Sequence, residues 1–452
     1  MARGATHVLG LDIGSQAIKA VELRLAGHEI RMVGRPVVVP TPEHSVSGGR
    51  IVDSAAVSEA LTDLLSRNGG FGVKKVVASV GGDTDVVVRI IEVPKMTGKE
   101  LEEAIQWELE RQAPFPVDQA VYDYRPIERD DTPPDAQNME VLLAVAQEEM
   151  VDAHVESMMA AKLMPLAIDV EPLAIARAMA DAGGEALADQ TIVVVHIGAS
   201  NTAIVIIRKG LLAFVRSIPT AGATFTSAIR QNVAEDEASA ESVKRLFADL
   251  TGAYAFEGGG ADTGYGEDTS SFDAIGGVDE EDSVFEVSDS SAADLGGGMA
   301  LDEAATQLEV ETGSGAYQLP PDQTVAAPPV GGAPAPAAKE PVPPEVEAVQ
   351  AQVYEAIAQP LLDLSTEVRR SLDFYRRNHR NEDIDRMYIS GGSAVIPGIA
   401  DFIGGEVGLT CEIANPFEYV EHDDEEVPQE YLRDVAPGCV IAVGLAMRDM
   451  FG

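Results

Sequence analysis

The chain has 452 residues, of which 45% are hydrophobic, so we expect two or more domains with separate cores. It carries 75 acidic and 32 basic residues, and its net charge of −43 argues against binding to nucleic acid or to an anionic membrane surface. Two cysteines do not make a disulfide framework, and neither a signal peptide nor a long apolar run is recognisable. We therefore expect a cytoplasmic protein without direct membrane insertion, which reaches a membrane only through a partner.

The chain opens with a predicted meander of three strands over residues 6–39, with turns at Gly14–Ser15 and Gly27–His28. Asp53 is placed to cap a helix that runs to about residue 68. A buried strand is predicted over 73–80.

Residues 82–165 have the pattern of a small inserted α+β subdomain. A strand at 86–93 is followed by a helix that a capping box, Thr97 to Glu100, is predicted to open. A second strand at 140–146 and a helix at 147–163 complete this unit.

The meander pattern returns over 191–218, and helices are predicted at 222–235 and 236–250. The composition then changes, because residues 251–344 hold 18 acidic residues and a single lysine among many Gly, Ser, Ala and Pro. Such a segment buries too little apolar surface to offset its ordering entropy, so we predict a disordered acidic insertion. A long helix at 345–378, a strand at 386–389, further short elements and a helix at 436–449 follow.

The most informative motif is a strand, a glycine turn and a second strand, which occurs twice, around Gly14 and Gly198. A phosphate at such a turn needs main-chain N–H groups and no obstructing side chain, which glycine allows. Ser15 adds a hydroxyl donor, and Lys19 places a cation in an otherwise apolar strand. Asp12 stands before the first turn, where a carboxylate can hold a hydrated Mg²⁺.

A third motif, Gly391-Gly392-Ser393, joins a predicted strand to a predicted helix. Such a junction allows a base or a sugar to lie against the main chain.

The two hairpins and the Gly-Gly-Ser junction, in this order, resemble the actin-like ATPase superfamily. Within it the chain is similar to the PilM family of cytoplasmic type IV pilus assembly proteins, which are relatives of the division protein FtsA. The resemblance also rests on segments spread along the chain, at 102–110, 114–115, 168–171, 370–375, 415–417 and 442–446.

The resemblance implies an α/β, two-lobed actin-like (ribonuclease H-like) fold. Residues 1–81 and 166–190 would form the first lobe, with the helix at 436–449 packing back on it. Residues 82–165 would be the inserted subdomain, and 191–250 with 345–435 would form the second lobe. The acidic insertion lies outside the resemblance.

The resemblance also implies that ATP and Mg²⁺ bind between the lobes. The residues expected there are Asp12, Gly14, Ser15 and Lys19 at the first phosphate site, Gly198, Ala199 and Ser200 at the second, Gly391, Gly392 and Ser393 at the adenosine, and Gly222 and Lys244 near the ribose or base. Asp12, Asp169 and Glu171 are the candidate catalytic residues, and Asp12 is the candidate Mg²⁺ ligand, acting through water.

One position departs from the family pattern. The second hairpin commonly carries an acidic residue where this chain has His196. A neutral imidazole does not hold a Mg²⁺-bound water as a carboxylate does, so we expect ATP binding with weak or absent hydrolysis.

The implied partner is the N-terminal cytoplasmic tail of a PilN-like membrane protein, which would lie in a groove beside the inserted subdomain. We expect this groove at Val86, Ile90, Val93, Met164 and Ile168. Other pilus machine components and a homo-oligomeric ring are further expected partners, and the chain would transmit its nucleotide state to assembly at the inner membrane.

Three alternatives remain at this point. An FtsA-like division factor would end in an amphipathic membrane helix, and the related subunit of type II secretion would carry its own membrane span. A small-molecule kinase of the same superfamily would need an aspartate base facing a substrate pocket.

Overall fold

The computed structural model describes residues 6–27, 29–67, 70–82, 84–133, 135–183, 187, 189–251, 343–379, 382–423, 425, 427–448 and 450. The predicted acidic insertion, apart from its first residue and its last two, lies outside the described residues. Among the described residues, no helix is both long enough and apolar enough to span a bilayer.

The first sheet has the strand order β11-β7-β1-β2-β3, and β4 also pairs with β2. The predicted third strand of the meander is divided into β3 and β4, which pair with successive parts of β2. The strands of the first sheet are β1 (His7–Ile13), β2 (Ala17–Ala26), β3 (Glu29–Met32), β4 (Val37–Pro40), β7 (Lys75–Val80) and β11 (Met164–Val170).

Helix α1 (Ser54–Ser66) packs against the first sheet through Val57, Leu61 and Leu64. The Asp53 carboxylate accepts hydrogen bonds from the main-chain N–H groups of Ala55 and Ala56, as the sequence predicts. A short hairpin, β5 (Val46–Ser47) and β6 (Arg50–Ile51), precedes this helix.

The small sheet has the strand order β8-β10-β9. It consists of β8 (Val86–Pro94), β9 (Ala120–Ile127) and β10 (Asn138–Gln147), and helix α2 (Lys99–Gln112) packs against it. Ile105 and Leu109 of α2 are fully buried against this sheet, so it has its own core. Helix α3 (Glu148–Ala160) follows β10 and packs mainly against α1 and β11 (Met164–Val170). Strand β9 is an addition that the sequence pattern did not predict.

The predicted capping box at Thr97 is wrong. Gly98 occupies the N-cap position with φ 59°, and no side chain makes the capping hydrogen bond. The chain therefore turns through the left-handed region at Gly98, where glycine is favoured, and the helix begins one residue later than a Thr97 cap requires.

The second sheet has the strand order β14-β13-β12-β15-β16. Its strands are β12 (Thr191–Ile197), β13 (Thr202–Arg208), β14 (Leu211–Ile218), β15 (Arg386–Ser390) and β16 (Cys411–Ile413). The helices around it are α5 (Gly222–Asn232), α6 (Glu237–Phe247), α7 (Pro344–Asn378) and α8 (Ile399–Val407).

Helix α7 supplies much of the core of the second sheet. The apolar residues that the sequence placed at helical spacing, Leu361, Leu364, Val368, Leu372 and Tyr375, are all buried in one cluster. The predicted amphipathic helix is therefore present along its whole predicted length.

The last helical segments are α9 (Gln429–Val435), a 3₁₀ turn (Ala436–Cys439) and α10 (Val440–Ala446). Helix α10 packs mainly against helix α4 (Glu171–Gly183) and strand β1. Every residue of α10 is buried. A Cβ atom added to Gly10 of β1 would lie 1.8 Å from the Ala442 carbonyl oxygen, and one added to Gly444 would lie 1.8 Å from that of Ala174. Helix α10 is thus wedged between β1 and α4 at main-chain contact.

We expect Gly444→Ala to lower the free energy of unfolding by about 3 kcal/mol, because the new methyl group collides with a helix carbonyl that cannot move independently. Urea unfolding measures this effect. Gly438→Ala is the matched control, since a Cβ there meets no atom within 4 Å and should change stability by less than about 1 kcal/mol. Equal stability of the two variants would contradict the close main-chain packing of α10 against α4.

Candidate functional site

A central cavity of about 550 Å³ lies where the two hairpin turns, the β15–α8 junction and helices α5 and α6 meet. Ser200 Oγ of the second hairpin donates a hydrogen bond to Ser15 Oγ of the first, at 3.0 Å. The residues predicted to hold nucleotide that line this cavity are Asp12, Gly14, Ser15, Lys19, Gly198, Ala199, Ser200, Gly222, Lys244, Gly391, Gly392 and Ser393. The structure therefore places all the residues that were predicted to hold nucleotide around this one cavity.

The first hairpin combines a tight turn with a buried ion pair. The Gly14 N–H donates to the Ala17 carbonyl at 3.1 Å, and Thr41 donates its hydroxyl to the Gly14 carbonyl at 2.6 Å. Lys19 lies opposite Asp12 in the antiparallel register, with its Nζ 2.9 Å from Oδ2 of Asp12.

The charge of Lys19 survives burial. Burial by itself lowers the pKa of this ammonium, but the Asp12 carboxylate outweighs burial and holds the pKa of Lys19 above its usual value. The lysine is therefore a fixed cation at the base of the first hairpin, 3.3 Å from where a Cβ of residue 14 would stand.

The second hairpin is tied to the start of helix α5. The Gly198 N–H donates to the Asn201 carbonyl at 3.0 Å and closes the turn. The main-chain N–H groups of Gly222 and Ala223 in turn donate to the Gly198 and Ala199 carbonyls, at 3.0 and 2.8 Å. The hairpin and the helix are thus held as one unit.

His196 lies at the end of β12, next to the second hairpin. It is buried, and its Nδ1 is 3.0 Å from Ser390 Oγ. Burial lowers the pKa of His196 to about 4, so the ring is neutral near pH 7.

The Gly-Gly-Ser junction approaches other main chain closely. Gly391 has φ 94°, and a Cβ there would lie 2.2 Å from the Ile197 carbonyl oxygen, so only glycine fits. A Cβ on Gly392 meets no atom within 4 Å, so this residue opens onto free space in the cavity.

Lys244 reaches the cavity from α6 and joins that helix to α5. Its Nζ lies 2.6 Å from Glu241 and donates to Thr226 Oγ1 at 2.8 Å and to the Gly222 carbonyl at 3.2 Å. Burial lowers the pKa of Lys244, while the Glu241 carboxylate opposes this effect.

Sequence reasoning missed a row of charged residues on α6. Glu237, Glu241 and Arg245 line the same cavity at a spacing of four residues. This spacing puts them on one helix face and was the signal that could have found them.

The two candidate carboxylates near α4 separate in the structure. Glu171, the first residue of α4, lines the central cavity and lies against Gly81, where an added Cβ would be 2.0 Å from its Cδ. Asp169 does not line the cavity, contrary to expectation. Its carboxylate lies 3.1 Å from the Arg177 guanidinium and 3.5 Å from that of Arg448, which hold it on the side of α4 and the C-terminal segment.

A side cavity of about 760 Å³ lies between β8, β14 and the end of α7. Val86 and Ile90, two of the residues predicted for the partner groove, line this side cavity. Val93 instead belongs to the core of the small sheet, because it shares the strand face of Val87 and Ile91. Met164 and Ile168 lie on β11, at the edge of the first sheet, and neither of them lines the side cavity.

The two cavities have a common wall. Gly81, Glu171 and Asn201 line both of them. A ligand in one cavity therefore lies against residues that also border the other.

We expect His196 to make stability depend on pH. The ring accepts a proton with a pKa near 6.5 when unfolded but only near 4 when folded, so the unfolded chain binds more protons below pH 6.5. The free energy of unfolding should fall by about 2 kcal/mol, through this group alone, between about pH 7 and about pH 5. Urea unfolding of the wild type and of His196→Asn at both pH values measures it, since the variant should lose this part of the slope. Parallel pH dependence in the two proteins would contradict it.

Comparison with known proteins supports the resemblance. Residues 10–257 and 349–450 match the sequence family described as type IV pilus assembly protein PilM. Among solved structures, a PilM–PilN type IV pilus biogenesis complex matches with TM-score 0.68 and 25% identity over 98% of both chains.

More distant similarities extend to other proteins. The ethanolamine utilization protein EutJ from Carboxydothermus hydrogenoformans matches with TM-score 0.45 and 12% identity, over 98% of this chain and 92% of that one. MreB5 of Spiroplasma citri bound to AMPPNP matches with TM-score 0.42 and 14% identity, over 100% and 97%.

The predicted actin-like α/β fold is confirmed, and because the family match covers most of the sequence, the chain belongs to the PilM family of type IV pilus assembly proteins.

Proposed function

We propose that this chain is the ATP-binding cytoplasmic component of a type IV pilus assembly machine, and that ATP binds in the central cavity. The observation that carries the proposal is the convergence of three separate glycine motifs around one space of about 550 Å³. A cavity of this size falls in the range of small-ligand sites.

The phosphates would lie between the two hairpins. Lys19 supplies a fixed positive charge there, and the hydroxyls of Ser15 and Ser200 supply donors from opposite sides. The adenosine would lie against Gly392, where the main chain is open to the cavity, with Lys244 and α6 beside it.

The Asp12 carboxylate fits a hydrated Mg²⁺, which takes one or two carboxylates, water and phosphate oxygens. Bound there with ATP, the ion would offset phosphate charge. Asp12 already accepts a hydrogen bond from Lys19, which fixes its position. Among the described residues, no group of three or more His, Cys, Asp or Glu side chains forms a metal site by itself.

Weak hydrolysis fits the second hairpin. Since the pKa of His196 is about 4 and its Nδ1 is already paired with Ser390, the ring is a poor proton acceptor near pH 7. Glu171 is the predicted carboxylate that remains at the cavity to orient water. We therefore propose that binding of ATP, more than its turnover, is the working event.

The ATP site is tested at Gly392 with a series of side chains of increasing size. Calorimetric titration with ATP should show a small loss of affinity for Gly392→Ala and a loss of about 30-fold or more for Gly392→Leu. A Cβ at this position meets no protein atom within 4 Å, so thermal unfolding of Gly392→Ala should stay unchanged. Equal ATP affinity in the three proteins, or no binding by the wild type, would contradict the site.

We further propose that the N-terminal tail of a PilN-like membrane protein recruits this chain to the inner membrane, where it joins other pilus components and forms a homo-oligomeric ring. Strand β11 is the edge that best supports tail docking. Among the strands of the described residues, none pairs with its outer edge, and Met164 and Leu166 are 57% and 38% exposed. Met159, at the end of α3 and five residues before Met164, is 61% exposed. Exposed apolar residues beside a strand edge suit an extended peptide.

Nucleotide state would reach the partner through Glu171, which joins the central cavity to β11. Glu171 stands at the N-terminus of α4, directly after β11, and also lines the central cavity. A phosphate that moves Glu171 would therefore also move the end of β11.

Tail docking is tested with Met164→Glu and a synthetic N-terminal peptide of the PilN-like partner. We expect a loss of peptide affinity of about tenfold or more, because a carboxylate would replace an apolar contact. Leu246→Glu is the matched control, since Leu246 is 73% exposed on α6, and it should leave peptide affinity unchanged. Fluorescence anisotropy gives both values, and equal effects of the two substitutions would rule out β11 as the docking edge.

A further inference from the structure

An exposed aromatic ring between two carboxylates lies on helix α2. Trp107 is 74% exposed, and Glu103 and Glu110, four residues before it and three residues after it, are exposed on the same helix face. We call these three residues the acidic stripe. It lies opposite Ile105 and Leu109, which are fully buried against the small sheet. The acidic stripe therefore faces away from that sheet.

The acidic stripe has the composition of a contact surface. Within the part of the chain that the structure describes, Glu103 and Glu110 form no ion pair, whereas their neighbour Glu108 lies 2.7 Å from the Arg111 guanidinium. Tryptophan is among the residues that contribute most to protein interfaces, and a ring as exposed as that of Trp107 gains most from being covered.

A stripe of opposite charge lies near the C-terminal end of α7. Phe374 is 53% exposed, Arg370 stands four residues before it and Arg377 three residues after it, and all three line the side cavity. We call these three residues the basic stripe. It lies opposite Leu372 and Tyr375, which are buried in the core of the second sheet. The basic stripe is therefore a surface feature of α7.

The charge of the basic stripe is only partly neutralised. Glu367 lies 2.5 Å from the Arg370 guanidinium and 2.7 Å from that of Arg216, a further lining residue of the side cavity, so one carboxylate serves two cations. Arg377 donates to the main-chain carbonyl of Asp373 at 3.1 Å, which satisfies a donor but carries no countercharge. The surface therefore keeps an attraction for carboxylates, with which guanidinium groups form strong hydrogen bonds.

The two stripes match in order and in spacing. Each has a charged residue, an aromatic residue four positions later and a second charged residue three positions after that. The charges are thus about 10 Å apart along the axis of either helix. Two such helices lying side by side in the same direction bring opposite charges together at both ends and the rings together in the middle. The resulting pairs are Glu103 with Arg370, Trp107 with Phe374 and Glu110 with Arg377.

We propose that the acidic stripe of one copy of this chain docks on the basic stripe of a second copy, with Trp107 entering the side cavity. A cavity of about 760 Å³ has room for an indole ring, and Phe214, whose ring lies 5.9 Å from that of Phe374, offers a further aromatic contact. The inference rests on the proposed homo-oligomer and names the surfaces that hold it together.

The contact has to form between chains. Strand β8 of the small sheet borders the side cavity, and the acidic stripe faces away from that sheet. Turning α2 toward its own α7 would expose Ile105 and Leu109 to water. Because the two stripes are different surfaces, each copy can use one toward each neighbour, and such a head-to-tail contact repeats into a ring or a filament.

The contact is tested by sedimentation velocity of the full-length protein with ATP and Mg²⁺ over a range of protein concentrations. Arg370→Glu with Arg377→Glu should weaken self-association by about tenfold or more, because attraction becomes repulsion. Glu103→Lys with Glu110→Lys should weaken it similarly. An equal mixture of the two variants should associate again, since the intact acidic stripe of one meets the intact basic stripe of the other.

The controls separate this pairing from a general effect of charge. The two double variants change the net charge in opposite directions, so a change in overall repulsion would affect them oppositely. Arg230→Glu with Arg433→Glu, at exposed positions on α5 and α9, gives the same net charge as the reversed basic stripe and should leave self-association unchanged.

Photo-cross-linking locates the contact. With a benzophenone amino acid in place of Trp107, in a mixture of ¹⁴N-labelled and ¹⁵N-labelled protein, we expect cross-links between chains to residues 86–90 and 370–377. The same probe in place of Leu246, which is 73% exposed on α6, should not give this pattern.

Self-association that neither reversal weakens, or cross-links from position 107 to other surfaces, would overturn this contact and leave the proposed homo-oligomer standing. The same holds for a mixture of the two variants that does not associate again. A chain that stays monomeric at the highest attainable concentration would overturn the contact and the homo-oligomer together. None of these outcomes bears on ATP binding, which is measured separately at Gly392.

Discussion

The packing of α10 between β1 and α4 is the constraint on which the site depends. Gly10 and Gly444 let this helix touch main chain on both sides, at the Ala442 and Ala174 carbonyls. Asp12 lies two residues beyond one contact, and Glu171 lies three residues before the other. Ile441 of α10 itself lines the central cavity. One helix therefore sets the distance between the first glycine turn and the carboxylate at the start of α4, and a side chain on either glycine would displace the helix.

Electrostatics then determine what each cavity can hold. In a chain with a net charge of −43, an anionic ligand is repelled unless local cations oppose the average field. The central cavity provides Lys19, which its neighbour Asp12 keeps charged despite burial, and the side cavity provides four arginines served mainly by Glu367. A buried lysine that is paired with a carboxylate suits a small polyphosphate, whereas several separated guanidinium groups beside strand edges suit an acidic segment of a protein.

The sequence predicted features that depend on local pattern. The two glycine hairpins, the Asp53 cap and the buried face of α7 follow from spacing alone, and the structure contains all of them. Prediction from the sequence failed where contacts between distant parts of the chain determine the position of a side chain. Asp169 and Glu171 are two residues apart, yet Arg177 and Arg448 draw one away while the other lies over Gly81. No spacing rule reveals which arginine comes from the far end of the chain.

Strand β8 shows the same limit from another side. Its apolar run suggests one groove face, but Val87, Ile91 and Val93 point into the core of the small sheet, while Val86 and Val88 belong to the main cluster. A strand buried on both faces has no alternation from which a free face can be read. What distinguishes the two faces of β8 is the neighbour that each one meets, which is α2 on one side and β14 with the end of α7 on the other.

The small sheet is linked to the second sheet by Arg129, which pairs with Glu140 and donates to the Leu212 carbonyl of β14 at 2.8 Å. Because this brace ties the small sheet to the second sheet, it holds two walls of the side cavity, β8 and β14, at a fixed separation.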